Sequence, residues 1–296
     1  MKKFVRIGAF PSVVDVVVML LLFFVPQIVI SLILYKLGIS APHTSAIDAN
    51  GAENIIPFLK EQEELGRFNA WVYLSMMLSS IAAILVYIRV RSGKWRIGIK
   101  HSSAGFNPNV ILVGVLWLLS AQIILEPLVL SLPQSESAGV GLGTWAIITA
   151  VISAPILEEV LCRGILFETL RKGWGLGISI LVPSLFFGMI HGDIATVIVA
   201  TVSGLIFGVL YLRTSSIFTT IIVHSINNAM AFTLINFDMG DVPFKRIVGG
   251  GTNYYICYGV AVIIFIAASV EAYFKITGAK KEPTEQIEQK EIEEVE

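Results

Sequence analysis

Residues 12–37 read SVVDVVVMLLLFFVPQIVISLILYKL, a run of apolar side chains with one carboxylate near its start and one lysine at its end. A helix formed from it is apolar on every side, so it belongs either at the centre of a large protein or in lipid. A bilayer core needs roughly 20 apolar residues per spanning helix. Seven further stretches of this kind follow, at 69–90, 110–132, 144–171, 174–191, 194–213, 215–235 and 253–275. The expectation is an all-α integral membrane protein with about eight transmembrane helices surrounding a polar intramembrane cavity. The count falls to seven if 174–213 does not hold two helices. Residues 1–277 then form a single transmembrane domain, and 278–296 a charged, disordered cytoplasmic tail.

Composition agrees. Of 296 residues, 55% are hydrophobic and 15% charged, against about 25% charged in soluble domains. A net charge of -1 and the lack of a basic stripe give no reason to expect a nucleic-acid partner. Cys162 and Cys257 lie far apart in apolar runs and read as small core residues, neither a disulfide framework nor a metal site. The opening MKKFVRIGAF is basic, but the apolar run behind it is too long for a signal-peptide core and no small-residue cleavage site follows. It reads as a retained first span.

Lys and Arg set the orientation. Lys2, Lys3 and Arg6, then Arg89, Arg91, Lys94, Arg96 and Lys100, then Arg171 and Lys172, Arg213, and Lys275, Lys280 and Lys281 all fall on one side of an eight-span chain. The opposite loop, 38–68, carries Asp48, Glu53, Glu61, Glu63 and Glu64. Both termini are therefore expected in the cytoplasm, with the chain in the cell membrane.

Ionisable and amide groups inside spans are expensive unless paired or wet. Here they are Asp15, Glu126, Glu158, Glu159, Arg163, His191, His224 and Asn228. Asp15 and Glu126 are isolated and read as structural or interfacial. The others fall in three segments, APILEEVLCRGILFE (154–168), FFGMIHGD (186–193) and IIVHSINNAM (221–230). On a helix Glu158 and Glu159 point about 100° apart. Arg163 stands four residues after Glu159, the spacing of a same-face ion pair, which leaves Glu158 without a local partner. A buried carboxylate of that kind suits a general base. Phe187 and His191 lie one turn apart, and His224 and Asn228 share a face. At 1.5 Å per residue, Glu158 is ~20 Å from Arg171, His191 ~25 Å from Trp174, and His224 and Asn228 ~14 and ~20 Å from Ser215. All four fall in the middle third to upper half of the membrane.

Such a set supports amide hydrolysis. Glu158 accepts a proton from water, His191 shares in placing or deprotonating it, and His224 with Asn228 offers N–H donors to the tetrahedral intermediate. HExxH is absent, although Glu158, His191 and His224 remain conceivable as a His₂Glu zinc set. A rhomboid-like GxSG is approached only by TVSG at Ser203, where Thr201 replaces the first Gly. Gly192-Asp193 and Gly240-Asp241 lack the earlier glycine of GxGD and read as turns.

The segments EEVLCR, FGMIH and HSINN resemble the EExxxR, FxxxH and HxxxN motifs of the CPBP family, which groups type II CAAX prenyl endopeptidases with bacteriocin-processing and self-immunity membrane proteins. The resemblance covers about 144–235. It implies an α-helical fold of about eight spans and a glutamate-dependent intramembrane endopeptidase without cofactor. Its substrates would be prenylated (CAAX-type) or other membrane-associated proteins or peptides, cut near the C-terminus, with membrane lipid as the other partner. By position, Glu158 and His191 would activate water, His224 and Asn228 would hold the oxyanion, and Glu159, Arg163 and Phe187 would support them. Cys162 departs from the aromatic or aliphatic residue usual before the arginine. Two other classes fit the same polar set. One is a non-catalytic immunity or scaffold protein binding a peptide in the cavity. The other is a proton-relay transporter, though the paired broken helices that a transporter needs are not seen.

Overall fold

The computed structural model describes residues 10–42, 55–95, 97–98, 107–133, 141–237, 239 and 242–278. The N-terminal stub, the tail after Gly278, residues 43–54 of the acidic 38–68 loop, and Gly240-Asp241 lie outside them, as do His43, Arg96, Lys100 and His101; residues 55–68, expected as loop, are instead the first turns of a helix. The described residues form helices α1 (Val13–Lys36), α2 (Ile55–Ser92) and α3 (Pro108–Leu130). Next comes one long helical stretch, α4 (Gly143–Met189), followed by α5 (Ile194–Thr214), α6 (Ile217–Asn236) and α7 (Gly251–Gly278). A single turn, Phe244–Ile247, precedes α7.

All seven are long and apolar enough to cross a membrane. Large apolar side chains cover their outer faces: Val13, Leu21, Ile28 and Leu32 on α1 and Ile256, Ile263 and Phe274 on α7 are all more than half exposed. Unpartnered apolar surface on this scale belongs to a protein solvated by lipid. The chain is an all-α, multi-pass membrane protein.

Seven helices stand where the sequence suggests eight spans, and the reason is local. Spans 144–171 and 174–191 belong to one 47-residue stretch, broken at Gly175 with φ 77° and ψ 177°. That positive φ is open to glycine because it has no Cβ. Arg163 and Phe187 stand twelve residues either side of Gly175, and the guanidinium carbon lies 5.5 Å from the ring centroid. The break therefore folds α4 into a hairpin, with a first arm over 143–174 and a shorter second arm over 176–189. The second arm runs against α5 at glycines: Gly204 lies against Ser184, Gly208 against Ile180, and a Cβ on Gly188 would overlap Thr201. Small residues at such crossings let membrane helices approach closely.

Contacts sort the bundle into two ends. At one, Asp15 accepts from Arg91 (2.6 Å) and Tyr87 (2.6 Å), Trp174 donates to the Pro11 carbonyl (2.7 Å), and Arg213 meets Glu271. At the other, Leu142 N donates to the Gln62 carbonyl (2.9 Å) and Lys245 N to Glu126 (3.3 Å). Asp15 and Glu126, isolated in the sequence, thus have structural partners. Asp193 caps α5 by accepting from the Ala195 and Thr196 amides. Its bonds to Thr196 hold its carboxyl below the usual carboxylate range, and Gly192 supplies the turn before it at φ 99°.

Candidate active site

The first arm of α4 is not a uniform α-helix. Ile148–Ser153 and Val160–Phe167 are π-helical, and the single α-helical turn Ala154–Glu159 lies between them. Departures of this sort concentrate at functional sites, and here they present both glutamates. Pro155 explains part of it. In a π-helix its nitrogen would bond the Ala150 carbonyl five residues back, but proline has no N–H. The Asn228 amide fills that vacancy from α6, donating to Ala150 O at 3.0 Å.

Glu159 and Arg163 form the expected pair at 2.8 Å, with side chains 0% and 1% exposed. Arg163 also donates to the Gly204 carbonyl (2.7 Å) and is sandwiched between Phe187 and Phe207 at 5.5 and 5.3 Å. His224 stacks on Phe207 at 4.8 Å, and its Nδ1 lies 3.2 Å from Glu159 Oε1. A carboxylate only accepts, so Nδ1 carries the hydrogen. His224 Nε2 is then left facing Glu158 Oε2 at 3.7 Å.

Glu158 is not the partnerless carboxylate that its helix position suggests. Tyr73, from α2, donates its hydroxyl to Glu158 Oε1 at 2.9 Å. Sequence spacing cannot find this residue, because Tyr73 is 85 positions away and belongs to none of the three motifs. Its only signal is a phenol within an apolar span. Glu158 keeps 7% of its surface open where Glu159 has none.

His191 sits at the turn between α4 and α5. Its Nδ1 donates to the Phe187 carbonyl, because a carbonyl has no hydrogen to give. That leaves Nε2 of the neutral ring as a proton acceptor. The Phe187 ring touches both histidines, with centroids 4.6 Å from His191 and 5.5 Å from His224. Glu158, His224 and Phe187 thus meet in one cluster, His191 joins it through Phe187, and Asn228 stands at its edge. Asn227 points elsewhere and accepts from Gln122 on α3 (2.7 Å).

Among the described residues no three His, Cys, Asp or Glu side chains stand close enough together to hold a metal ion. With Phe187 against both imidazoles, Glu158, His191 and His224 as placed do not fit a His₂Glu zinc set.

Residues 140–230 match the family model described as Type II CAAX prenyl endopeptidase Rce1-like. The similarity is confined to this stretch. It contains all three motifs and ends just beyond the edge of the cluster. A curated relative from Bacillus subtilis (strain 168), "Putative membrane peptidase YdiL", is 35% identical over 82 residues, 28% of this chain and 34% of the relative. The aligned part therefore spans about a third of that relative's length. No solved structure matches the chain.

Two substitutions test the local geometry. Tyr73→Phe removes a hydrogen bond to an ionised group, a loss of about 1.5–3 kcal/mol. If Tyr73 positions Glu158, peptide cleavage falls roughly 10- to 100-fold in kcat with KM little changed. Asn228→Ala leaves the Ala150 carbonyl without a donor and lowers stability by about 1–3 kcal/mol, read as a drop in melting temperature in detergent. Unchanged melting with lost cleavage would assign Asn228 to the reaction alone.

Proposed function

We propose that the chain is an intramembrane endopeptidase that hydrolyses a peptide bond near the C-terminus of a lipidated or membrane-embedded protein or peptide. One observation carries this reading. A carboxylate, Glu158, is held inside a lipid-solvated bundle between a tyrosine hydroxyl and Nε2 of a buried histidine. The Rce1-like match over the same residues supports it.

In this mechanism water lies between Glu158 and His191 Nε2. Its oxygen attacks the carbonyl carbon while its proton passes to Glu158. The negative charge that forms on the carbonyl oxygen is met by His224 Nε2–H and by the second N–H of Asn228, its first being held by Ala150 O. The tetrahedral species then collapses. Its C–N bond breaks, the amine leaves with the proton that Glu158 took from water, and the new carboxylic acid gives its remaining proton to the released amine, leaving a carboxylate and an ammonium. Glu159 and Arg163 touch no reacting atom and serve as the platform that orients His224.

The test is cleavage of quenched peptides by purified protein in detergent, with and without a prenyl group, comparing wild type with Glu158→Gln. Cleavage by wild type alone supports the reading, and equal cleavage by the variant overturns it. The prenyl comparison shows whether the lipid is recognised.

A further inference from the structure

We infer that the site opens toward the end of the bundle opposite the basic one, so that the peptide reaches it from the extracytoplasmic side. This inference rests on the peptidase reading for what enters, but not for where the opening lies.

Depth in α2 comes first. Between Arg67 and Arg89 the helix has no charged residue. Tyr73, which holds Glu158, is six residues from Arg67 and sixteen from Arg89, or ~9 Å from one boundary and ~24 Å from the other. Independently, His191 lies two residues before Asp193, which caps α5, while Arg213 marks the far end of that helix. Both residues place the site in the half of the membrane away from Arg89 and Arg213.

Packing agrees. On the side of the basic end the cluster is sealed: Leu161 through Leu170 are all buried, as are Tyr211, Ile217, Thr219 and Thr220. The seal is bonded as well as packed. Gly98 N donates to the Gly164 carbonyl (2.7 Å), and Tyr211 reaches Glu168 (3.0 Å) and the Gly98 carbonyl (3.2 Å). On the other side Tyr73, Ala150, His191, Asn227 and Asn228 are all partly exposed.

Charge then gives the face. Of the 21 Lys and Arg in the chain, Arg163 is in the site. Among the described residues, Lys36, Lys60, Arg67, Lys245 and Arg246 belong to segments at the open end. Arg89, Arg91, Lys94, Arg171, Lys172, Arg213 and Lys275 belong to segments at the sealed end, and the remaining cations precede α1, fall between α2 and α3 or follow α7 in the sequence. Cytoplasmic segments carry the excess of Lys and Arg, so the sealed end faces the cytoplasm and the open end faces outward. The substrate class narrows accordingly to exported peptides or proteins anchored in the outer leaflet, and the C-termini of cytosolic prenylated proteins are excluded.

Single-cysteine labelling with a membrane-impermeant maleimide tests this in intact cells. Wild type is the control, since Cys162 is buried and Cys257 lies within α7. Lys60→Cys reports the open end, Lys172→Cys the sealed end and His191→Cys the mouth of the site. Labelling of Lys60→Cys and His191→Cys from outside, with Lys172→Cys reactive only after permeabilisation, is the expected result. Labelling of Lys172→Cys from outside, or of His191→Cys only after permeabilisation, overturns the proposal. A soluble peptide should likewise be cut by right-side-out vesicles and spared by inverted ones; the reverse also overturns it. Labelling does not depend on activity, so a wild type that cuts nothing in detergent would sink the peptidase reading while leaving the direction of the opening decided.

Discussion

Glu158→Gln lowers kcat by about 10²–10⁴-fold, the contribution of a positioned general base, while the protein still folds. The amide matches the carboxylate in shape and still accepts from Tyr73, so the hydrogen bond at 2.9 Å survives. It cannot take a proton from water. The neighbouring Glu159→Gln should behave differently. Glu159 has no exposed surface and is bound to Arg163 and His224, so neutralising it leaves a buried guanidinium short of countercharge and disturbs folding as well as activity. The pair of variants separates base from platform. Kinetics with one peptide, together with thermal melting of both proteins, check it.

The largest effect on stability is expected at Arg163. Its side chain is 1% exposed, bonds Glu159 and the Gly204 carbonyl, and is sandwiched by Phe187 and Phe207. It therefore joins the first arm of α4, the second arm and α5. Arg163→Ala strands a buried carboxylate and costs about 3–5 kcal/mol, the usual loss when one partner of a buried pair is removed. Arg163→Lys keeps the charge but lacks the planar fork that reaches two acceptors at once, so it should recover only part of the loss. Melting temperature and resistance to proteolysis in detergent, ordered wild type, Lys, Ala, are the readout. Equal melting of all three would show that the hairpin of α4 does not depend on this residue.

Much of this arrangement is legible in the sequence because membrane physics makes polar residues conspicuous. The Glu159–Arg163 pair follows from i,i+4 spacing, and it survives even though the helix turns π-helical at Val160. The span positions follow from apolar runs, and the turn at Gly192-Asp193 from its residue types. What the sequence hides is long-range or depends on backbone detail. Tyr73 lies 85 residues from its partner. The hairpin in α4 depends on one glycine among several in GWGLG, and only the φ of Gly175 distinguishes it. The tie from Asn228 to Ala150 needs the π-turn before Pro155, which no period count detects. For that reason an asparagine that reads as an oxyanion donor proves also to be an anchor.

The central claim is that water activated at Glu158 splits a peptide bond, and cleavage in ¹⁸O-labelled water tests it most directly. After a single turnover by wild type in detergent, mass spectrometry should find one ¹⁸O in the new carboxylate of the N-terminal product, and no cleavage with Glu158→Gln. Products that form equally with the variant, or that form without ¹⁸O, would contradict the assignment.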